Sequence, residues 1–337
     1  MTKPAPPLAV TMGEPAGIGG EITLMAWLRR EVGVPAFFVI DDADRLEGLG
    51  SSLGLPVPVR RIDAPADAAA VFADALPVLH RSLARPVVPG RLDPANARRV
   101  IAAIEEAVTL IRAGEAAAVV TNPIHKKALY ATGFAFPGHT EFLAALAGRG
   151  ARAVMMLAIP GLRVVPVTVH APLREAIAAL DAATIIDRAE AAHAALRRDF
   201  AIARPRLKVA GLNPHAGEDG ALGEEEAAII APAVAALRSA GIDADGPVPP
   251  DALFTPRARE TYDAAICLYH DQALIPLKAL DVDHGVNITL GLPFVRTSPD
   301  HGTALDIAGT GIATPTSLMA ALTTAADLAR NRAAASP

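Results

Sequence analysis

Residues 264–272 read Ala264-Ala-Ile-Cys-Leu-Tyr-His-Asp-Gln272, a short apolar, β-prone run that ends in a histidine-bearing turn. The same pattern occurs twice more. Val167-Thr-Val-His-Ala-Pro172 closes the apolar run 153–169, and Gly211-Leu-Asn-Pro-His-Ala-Gly-Glu218 follows the run 207–212. Short apolar runs bounded by turn residues are the mark of buried strands. Alanine-rich stretches of helical periodicity lie between them, so strand and helix alternate and the chain is expected to be α/β. In such folds ligands gather where strands end and loops begin. His170, His215 and His270 delivered to one sheet edge would offer three imidazoles to a divalent metal and leave coordination positions open, the arrangement of a catalytic rather than a structural site.

Working outward, strands are expected at 8–12, 36–40, 116–120, 154–159, 162–169, 207–212, 264–268 and 286–289. Helices are expected at 21–30, 94–113, 181–200, 223–240, 303–307 and 317–335. The helix 94–113 has Asp93 as N-cap, Pro94 as its first residue and Gly114 as its stop. Pro160-Gly161 is a turn between two strands, and 83–91 is a surface connection. A chain of 337 residues points to about two domains. Its net charge of −5, with no basic stripe, argues against a nucleic-acid or membrane-surface protein. The single cysteine, Cys267, excludes an internal disulfide and a cysteine-based zinc site, and reads as a small buried hydrophobe. No secretory signal or membrane span is legible, so a soluble, cytoplasmic protein is expected.

Polar residues collect at a few turns. The loop Thr11-Met-Gly-Glu-Pro-Ala-Gly-Ile-Gly-Gly20 joins a strand to a helix but has neither the dinucleotide fingerprint nor the P-loop spacing. Tight packing and ligand contact are both open to it. In Phe136-Pro-Gly-His-Thr-Glu-Phe142, Thr140 stands where it would cap a helix running 141–148. His139 beside a helix N-terminus would also bind an anion. Further on, Lys278 and Arg296 are natural partners for a phosphate or carboxylate. The glycine-bounded turn His301-Gly-Thr-Ala-Leu-Asp-Ile-Ala-Gly-Thr-Gly311 has the form of a loop that approaches a nucleotide.

Taken in order, Thr11–Gly19, Thr121-Asn-Pro-Ile-His-Lys126, Pro137-Gly-His-Thr-Glu141, Asn213–Glu218, Tyr269-His-Asp-Gln272, Gly285-Val-Asn-Ile-Thr-Leu-Gly-Leu-Pro293 and Arg296-Thr-Ser-Pro-Asp-His-Gly-Thr-Ala304 resemble the 4-hydroxythreonine-4-phosphate dehydrogenases of pyridoxal phosphate biosynthesis. The likeness runs from residue 8 to about 311. It implies two α/β/α domains of the isocitrate and isopropylmalate dehydrogenase type with the active site in the cleft between them. Residues 1–135 with 285–337 would form a nucleotide-binding domain, and 136–284 a second domain with the metal ligands and dimer contacts. By resemblance, His170, His215 and His270 are ligands of a divalent metal (zinc, magnesium or cobalt), with His270 reaching in from the other subunit of a homodimer. His139, Thr140, Lys278, Asn287 and Arg296 would contact substrate, and Lys278 and Asp271 would serve the chemistry, Asp271 by fixing an imidazole tautomer. His301, Gly302, Asp306 and Gly309 would hold NAD or NADP. This sequence departs from the family in having Glu14 for Asp, Gly20 for Pro and Ala273 where Gly is often found.

The implied activity is that of an oxidoreductase. It would oxidise 4-phosphooxy-L-threonine at C3 to 2-amino-3-oxo-4-phosphooxybutanoate, which loses CO2 to give 3-amino-2-oxopropyl phosphate in pyridoxine 5'-phosphate biosynthesis. A sibling dehydrogenase of 4-phospho-D-threonate or 4-phospho-D-erythronate would share nearly all these motifs. A metal-dependent hydrolase would also use three histidines, although no His-Glu-x-x-His pair is present.

Overall fold

The computed structural model describes residues 5–136, 138–148 and 150–335. The residues before Ala5, read above for a targeting signal, and Pro137 of the expected anion-binding segment lie outside these. The strands are β1 Leu8–Thr11, β2 Phe37–Asp41, β3 Val59–Ile62, β4 Leu76–His80, β5 Val119–Thr121, β6 Val154–Ile159, β7 Leu162–Pro166, β8 Arg206–Ala210, β9 Asp243–Val248, β10 Ala264–Cys267, β11 Val286–Leu290 and β12 Arg296–Pro299. They divide between two compact units. One runs to Ala151 and resumes over Leu292–Arg330; the other is Arg152–Gly291 with the chain from Asn331.

In the first unit the strand order is β3-β4-β2-β1-β5-β12, and every pair from β3 to β12 is parallel. All residues of β1, β2, β5 and β12 are buried, as a parallel sheet covered by helices on both faces requires. The helix Ala97–Arg112 covers part of it with Val100, Ala103, Ile104, Ala107 and Val108. It follows a short 3-10 turn in which the Asp93 carboxylate accepts from the Ala95 amide at 2.9 Å, as its sequence foretells.

The second unit orders its strands β11-β6-β7-β10-β8-β9. Pairing is antiparallel on the β11-β6-β7 side and parallel from β7 through β10 and β8 to β9. Cys267 packs in a core with Leu157, Val164, Tyr262, Ala273 and Leu277, and burial pushes its thiol pKa far up. Both units therefore have the expected α/β character, but the boundaries move from 135/136 and 284/285 to 151/152 and 291/292. Two contacts account for this. The helix His139–Ala147 is tied to the first unit by Arg112, whose Nη2 donates to the Leu146 and Ala147 carbonyls at 2.7 and 2.9 Å. Strand β11 pairs with β6 and so goes with the second. At the chain's end, Arg332 bonds both carboxylate oxygens of Asp199, at 2.8 and 2.7 Å.

At the C-terminal end of β2, Asp41 is buried and paired with Arg45 at 2.5 and 3.2 Å, and Arg45 Nη1 donates to the Pro15 carbonyl at 3.1 Å. This explains one family departure. A Cβ on Gly20 would lie 2.8 Å from Arg45 Nη1, so a proline here would require the guanidinium to shift. Removing one member of a buried pair strands the other charge at a cost of about 3–5 kcal/mol. Arg45→Met is expected to lower the urea unfolding free energy by about 3 kcal/mol, with part regained in the Arg45→Met, Asp41→Asn double variant. Equal stability of Arg45→Met and wild type would show that the pair contributes nothing.

Candidate functional site

Strands β7, β10 and β8 are neighbours in that order and run parallel, so their C-terminal ends share one edge. His170, His270 and His215 follow those ends. Pairing continues past the first two strands through Val167 N to the Cys267 carbonyl at 2.7 Å and Thr168 Oγ1 to the Leu268 carbonyl at 2.9 Å. This brings the His170 and His270 rings to 6.0 Å between centroids, over a cavity of about 200 Å³ lined also by Leu173, Tyr269 and Asp271. Asp271 Oδ1 lies 2.7 Å from His270 Nδ1. That bond leaves Nε2 as the nitrogen turned to a ligand, the usual carboxylate–imidazole arrangement at a metal.

His215 behaves differently. It opens a turn in which His215, Ala216, Gly217, Glu218 and Asp219 all have positive φ, and His170 has φ 49° as well. Among the described residues of one chain, no three His, Cys, Asp or Glu side chains are close enough to share a metal. Within the single chain the His170 and His270 rings lie near each other; the expected grouping within a subunit was His170 with His215. Two imidazoles, one oriented by a carboxylate, still form a donor set that suits a divalent ion.

Two buried residues that the sequence reading passed over hold this edge together. Gln272 accepts from the Leu268 amide through Oε1 and donates to the Gly211 carbonyl through Nε2, both at 2.7 Å. It stitches the end of β10 to the end of β8. Glu226 accepts from the amides of Leu212 and Asn213 at 2.8 and 2.7 Å and from Asn213 Nδ2 at 2.9 Å. Burial pushes its carboxyl pKa up, but these bonds outweigh that and hold it below the ordinary value. The signal for Gln272 was its position, two residues after a candidate ligand. Ala273, where the family often has Gly, is fully buried in the core behind it.

The expected substrate contacts divide between the units. His139, Thr140 and Arg296 belong to the first, and Lys278 and Asn287 to the second. Gly138, not Thr140, is the N-cap of the helix His139–Ala147, and no side chain caps it. Thr140 lies in the first turn, because the helix starts two residues earlier than its capping potential indicates. Arg296 is buried on β12 and donates to Thr121 Oγ1 from Nε and Nη2 at 3.2 and 2.8 Å. Burial lowers its pKa to about 10. His139 is held well below the usual imidazole range, first by burial and then by the charges of Arg296 and Lys126. Its Nε2 is buried without a hydrogen-bond partner among the described residues. In the second unit, Lys278 is exposed on the helix His270–Leu280, and Asn287 on β11 has a buried Oδ1 with no hydrogen-bond partner among the described residues.

The turn from His301 to Gly311 is not helical at 303–307 as expected. Ala304 has φ 44°, and turn bonds run instead from Ile307 N to the Ala304 carbonyl and from Thr310 N to the Ile307 carbonyl. The first glycine loop packs against it. Ile18 N donates to the Thr303 carbonyl at 3.0 Å, and a Cβ on Gly17 would lie 2.8 Å from that same oxygen. The buried carboxylate of Glu21 accepts from Gly309 N at 3.0 Å. Close packing is therefore one settled role of the glycine loop. Glu14 turns inward, accepting from Ala16 N at 3.1 Å. His301, Gly302 and Asp306 stay at the surface of the turn, partly or fully exposed.

Gln272→Leu would leave a buried amide and a buried carbonyl without partners, an expected loss of about 3 kcal/mol in denaturant unfolding. Gln272→Glu keeps the bond from Leu268 but sets a carboxyl against the Gly211 carbonyl, which it can satisfy only when protonated. Its pKa is then raised in the folded state, so this variant is expected to gain stability as pH falls and lose it as pH rises. A Gln272→Glu variant whose stability tracks wild type across that range would refute the bond to Gly211.

The family model described as pyridoxal phosphate biosynthetic protein PdxA matches residues 34–325. The chain is 55% identical to a 4-hydroxythreonine-4-phosphate dehydrogenase of Methylorubrum populi, covering 97% of this chain and 95% of that one. It is 52% identical to one of Bradyrhizobium diazoefficiens, covering 96% and 97%. The crystal structure of 4-hydroxythreonine-4-phosphate dehydrogenase from Klebsiella pneumoniae superposes with a TM-score of 0.86 at 39% identity, over 96% of this chain and 99% of that one. With the family's model spanning most of its length and relatives at this identity covering nearly all of it, the chain belongs to the PdxA family of pyridoxal phosphate biosynthetic proteins.

Proposed function

We propose that this chain oxidises 4-phosphooxy-L-threonine at its C3 hydroxyl with NAD or NADP, giving 2-amino-3-oxo-4-phosphooxybutanoate, which decarboxylates to 3-amino-2-oxopropyl phosphate. The observation that carries this reading is the His170–His270 pair at adjacent strand ends, with Asp271 bonded to one ring, in a chain whose relatives bear that enzyme's name. His170, His215 and His270 would hold a divalent ion (zinc, magnesium or cobalt). When bound, such an ion supplies Lewis-acid stabilisation of negative charge on the substrate's oxygens. Asp271 fixes the His270 tautomer so that Nε2 stays available. Arg296 and Lys278 bind the anionic ends of the substrate, and Thr140 and Asn287 donate uncharged hydrogen bonds. His139, kept neutral by its surroundings, adds a bond without adding a third charge. His301, Gly302, Asp306 and Gly309 would hold the dinucleotide, which supplies the hydride acceptor.

On the strength of the family likeness we place the complete metal site in a homodimer, with His170 and His215 from one subunit and the partner's His270; within one chain it is His170 and His270 that lie together, and subunit exchange decides between the two groupings. No helix among the described residues is long and apolar enough to cross a membrane, in keeping with a cytoplasmic enzyme.

The test is turnover. The protein is incubated with a divalent metal, NAD or NADP, and in parallel with 4-phosphooxy-L-threonine, 4-phospho-D-threonate and 4-phospho-D-erythronate, following absorbance of the reduced cofactor. The first substrate is expected to dominate; preference for either acid phosphate would reassign the substrate, and no turnover of any would exclude the dehydrogenase. Asp271→Asn is expected to weaken metal affinity about 10–100-fold, measured by equilibrium binding. Inactive His170→Ala and His270→Ala variants, mixed and exchanged, should regain activity in one of the two sites of each heterodimer. No recovery after verified exchange would mean that His170 and His270 of each site come from the same chain.

A further inference from the structure

We propose that Lys126 is a further anion contact of the substrate site, standing with Arg296 and His139 around one phosphate position in the first unit. The inference rests on the reading that the substrate is a phosphomonoester. Lys126 begins the helix Lys126–Tyr130, five residues after Thr121. Thr121 is the residue that holds Arg296, so one strand end positions both cations. The intervening turn is anchored. Asn122 Nδ2 donates to the Thr11 carbonyl at 3.1 Å and to Thr23 Oγ1 at 3.0 Å, and Glu14 N donates to the Pro123 carbonyl at 2.8 Å. Gly138 lies close by. A Cβ placed on it would lie 3.6 Å from Lys126 Cε and 3.7 Å from Nζ. The lysine therefore lies over the residue that precedes His139, at ordinary van der Waals distance from a Cβ placed there. Glu141 Oε2 approaches the same point at 3.5 Å and bounds the site on that side.

The electrostatics agree with this placement. Lys126 and Arg296 are the two charges that depress the His139 imidazole after burial itself, so both act on one neutral ring whose Nε2 is buried and unbonded among the described residues. A phosphomonoester carries close to two negative charges at neutral pH. Arg296 offers a positive charge fixed in place by Thr121, and Lys126, being exposed, offers a mobile point charge that can close over the ligand. The neutral imidazole and the Thr140 hydroxyl add bonds without excess charge.

The experiment uses the full-length protein and inorganic phosphate as the probe. Lys126→Met is expected to weaken phosphate binding about tenfold in calorimetry and to raise KM for the phosphorylated substrate similarly with little change in kcat, the signature of lost ground-state binding. Lys126→Arg should stay close to wild type. Wild-type protein is also treated with an amine-acylating reagent and its lysines followed by mass spectrometry. Phosphate should protect Lys126 several-fold and leave the adjacent, exposed Lys127 unchanged, a readout that needs no variant to fold. Equal acylation of Lys126 with and without phosphate, or unchanged phosphate affinity in a folded Lys126→Met, would overturn the assignment. If wild type oxidises no phosphorylated hydroxy acid while phosphate still protects Lys126, the dehydrogenase reading falls and the anion contact stands.

Discussion

A single side-chain amide determines how the histidine-bearing edge is held. Strands β10 and β8 pair through their backbones only as far as the strands run, and beyond them the chain must turn away in two directions. Gln272 fills the gap by bonding the first free amide after β10 and the first free carbonyl after β8. Both groups are then satisfied away from water, where an unbonded one would cost as much as a lost hydrogen bond. His270 can begin its helix and His215 its left-handed turn from fixed starting points. Glu226 does the same for the next two amides of the β8 turn. The imidazoles are carried on strained and irregular backbone, but the residues that carry that backbone are tied to the rigid ladder by buried polar groups.

The first unit solves a related problem with absent side chains. Its two polar turns, 11–20 and 301–311, approach closely enough that a Cβ on Gly17 would strike the other turn's backbone. The Glu21 carboxylate then bonds a backbone amide across the same contact. The glycine loop thus supports the loop proposed to hold the dinucleotide, whose own residues remain at the surface. The ion pair of Asp41 and Arg45 extends this support to the end of β2, in space that a residue larger than Gly20 would occupy.

Much of this was legible in the sequence, and the exceptions have physical causes. Strands buried on both faces, such as β2 and β10, announced themselves as apolar runs. Strand β12 did not: Arg296-Thr-Ser-Pro299 is polar throughout, yet all four residues are buried because Thr121 and the Ala321 carbonyl absorb the polarity of Arg296 and Thr297. Strands β3 and β9 carry arginine and aspartate, which edge positions tolerate. By contact, the helix 139–147 goes with the first unit, to which Arg112 also bonds it, and nothing in its sequence signals that. In the candidate site, the residues with distinctive chemistry stood out as histidine, lysine and arginine in turns. Gln272 and Glu226 did not, because an uncharged amide or one more glutamate on a helix carries no signal until its partners are known.

His170 and His215 hold φ of 49° and 53°, in a region that costs an ordinary residue roughly 1–2 kcal/mol and glycine almost nothing. A library of variants sorted only for resistance to heat would therefore drift toward glycine at these two positions and discard the imidazoles first. Stability and the proposed metal binding pull in opposite directions there, and a screen for robust versions of this protein must retain a readout that senses the histidines themselves.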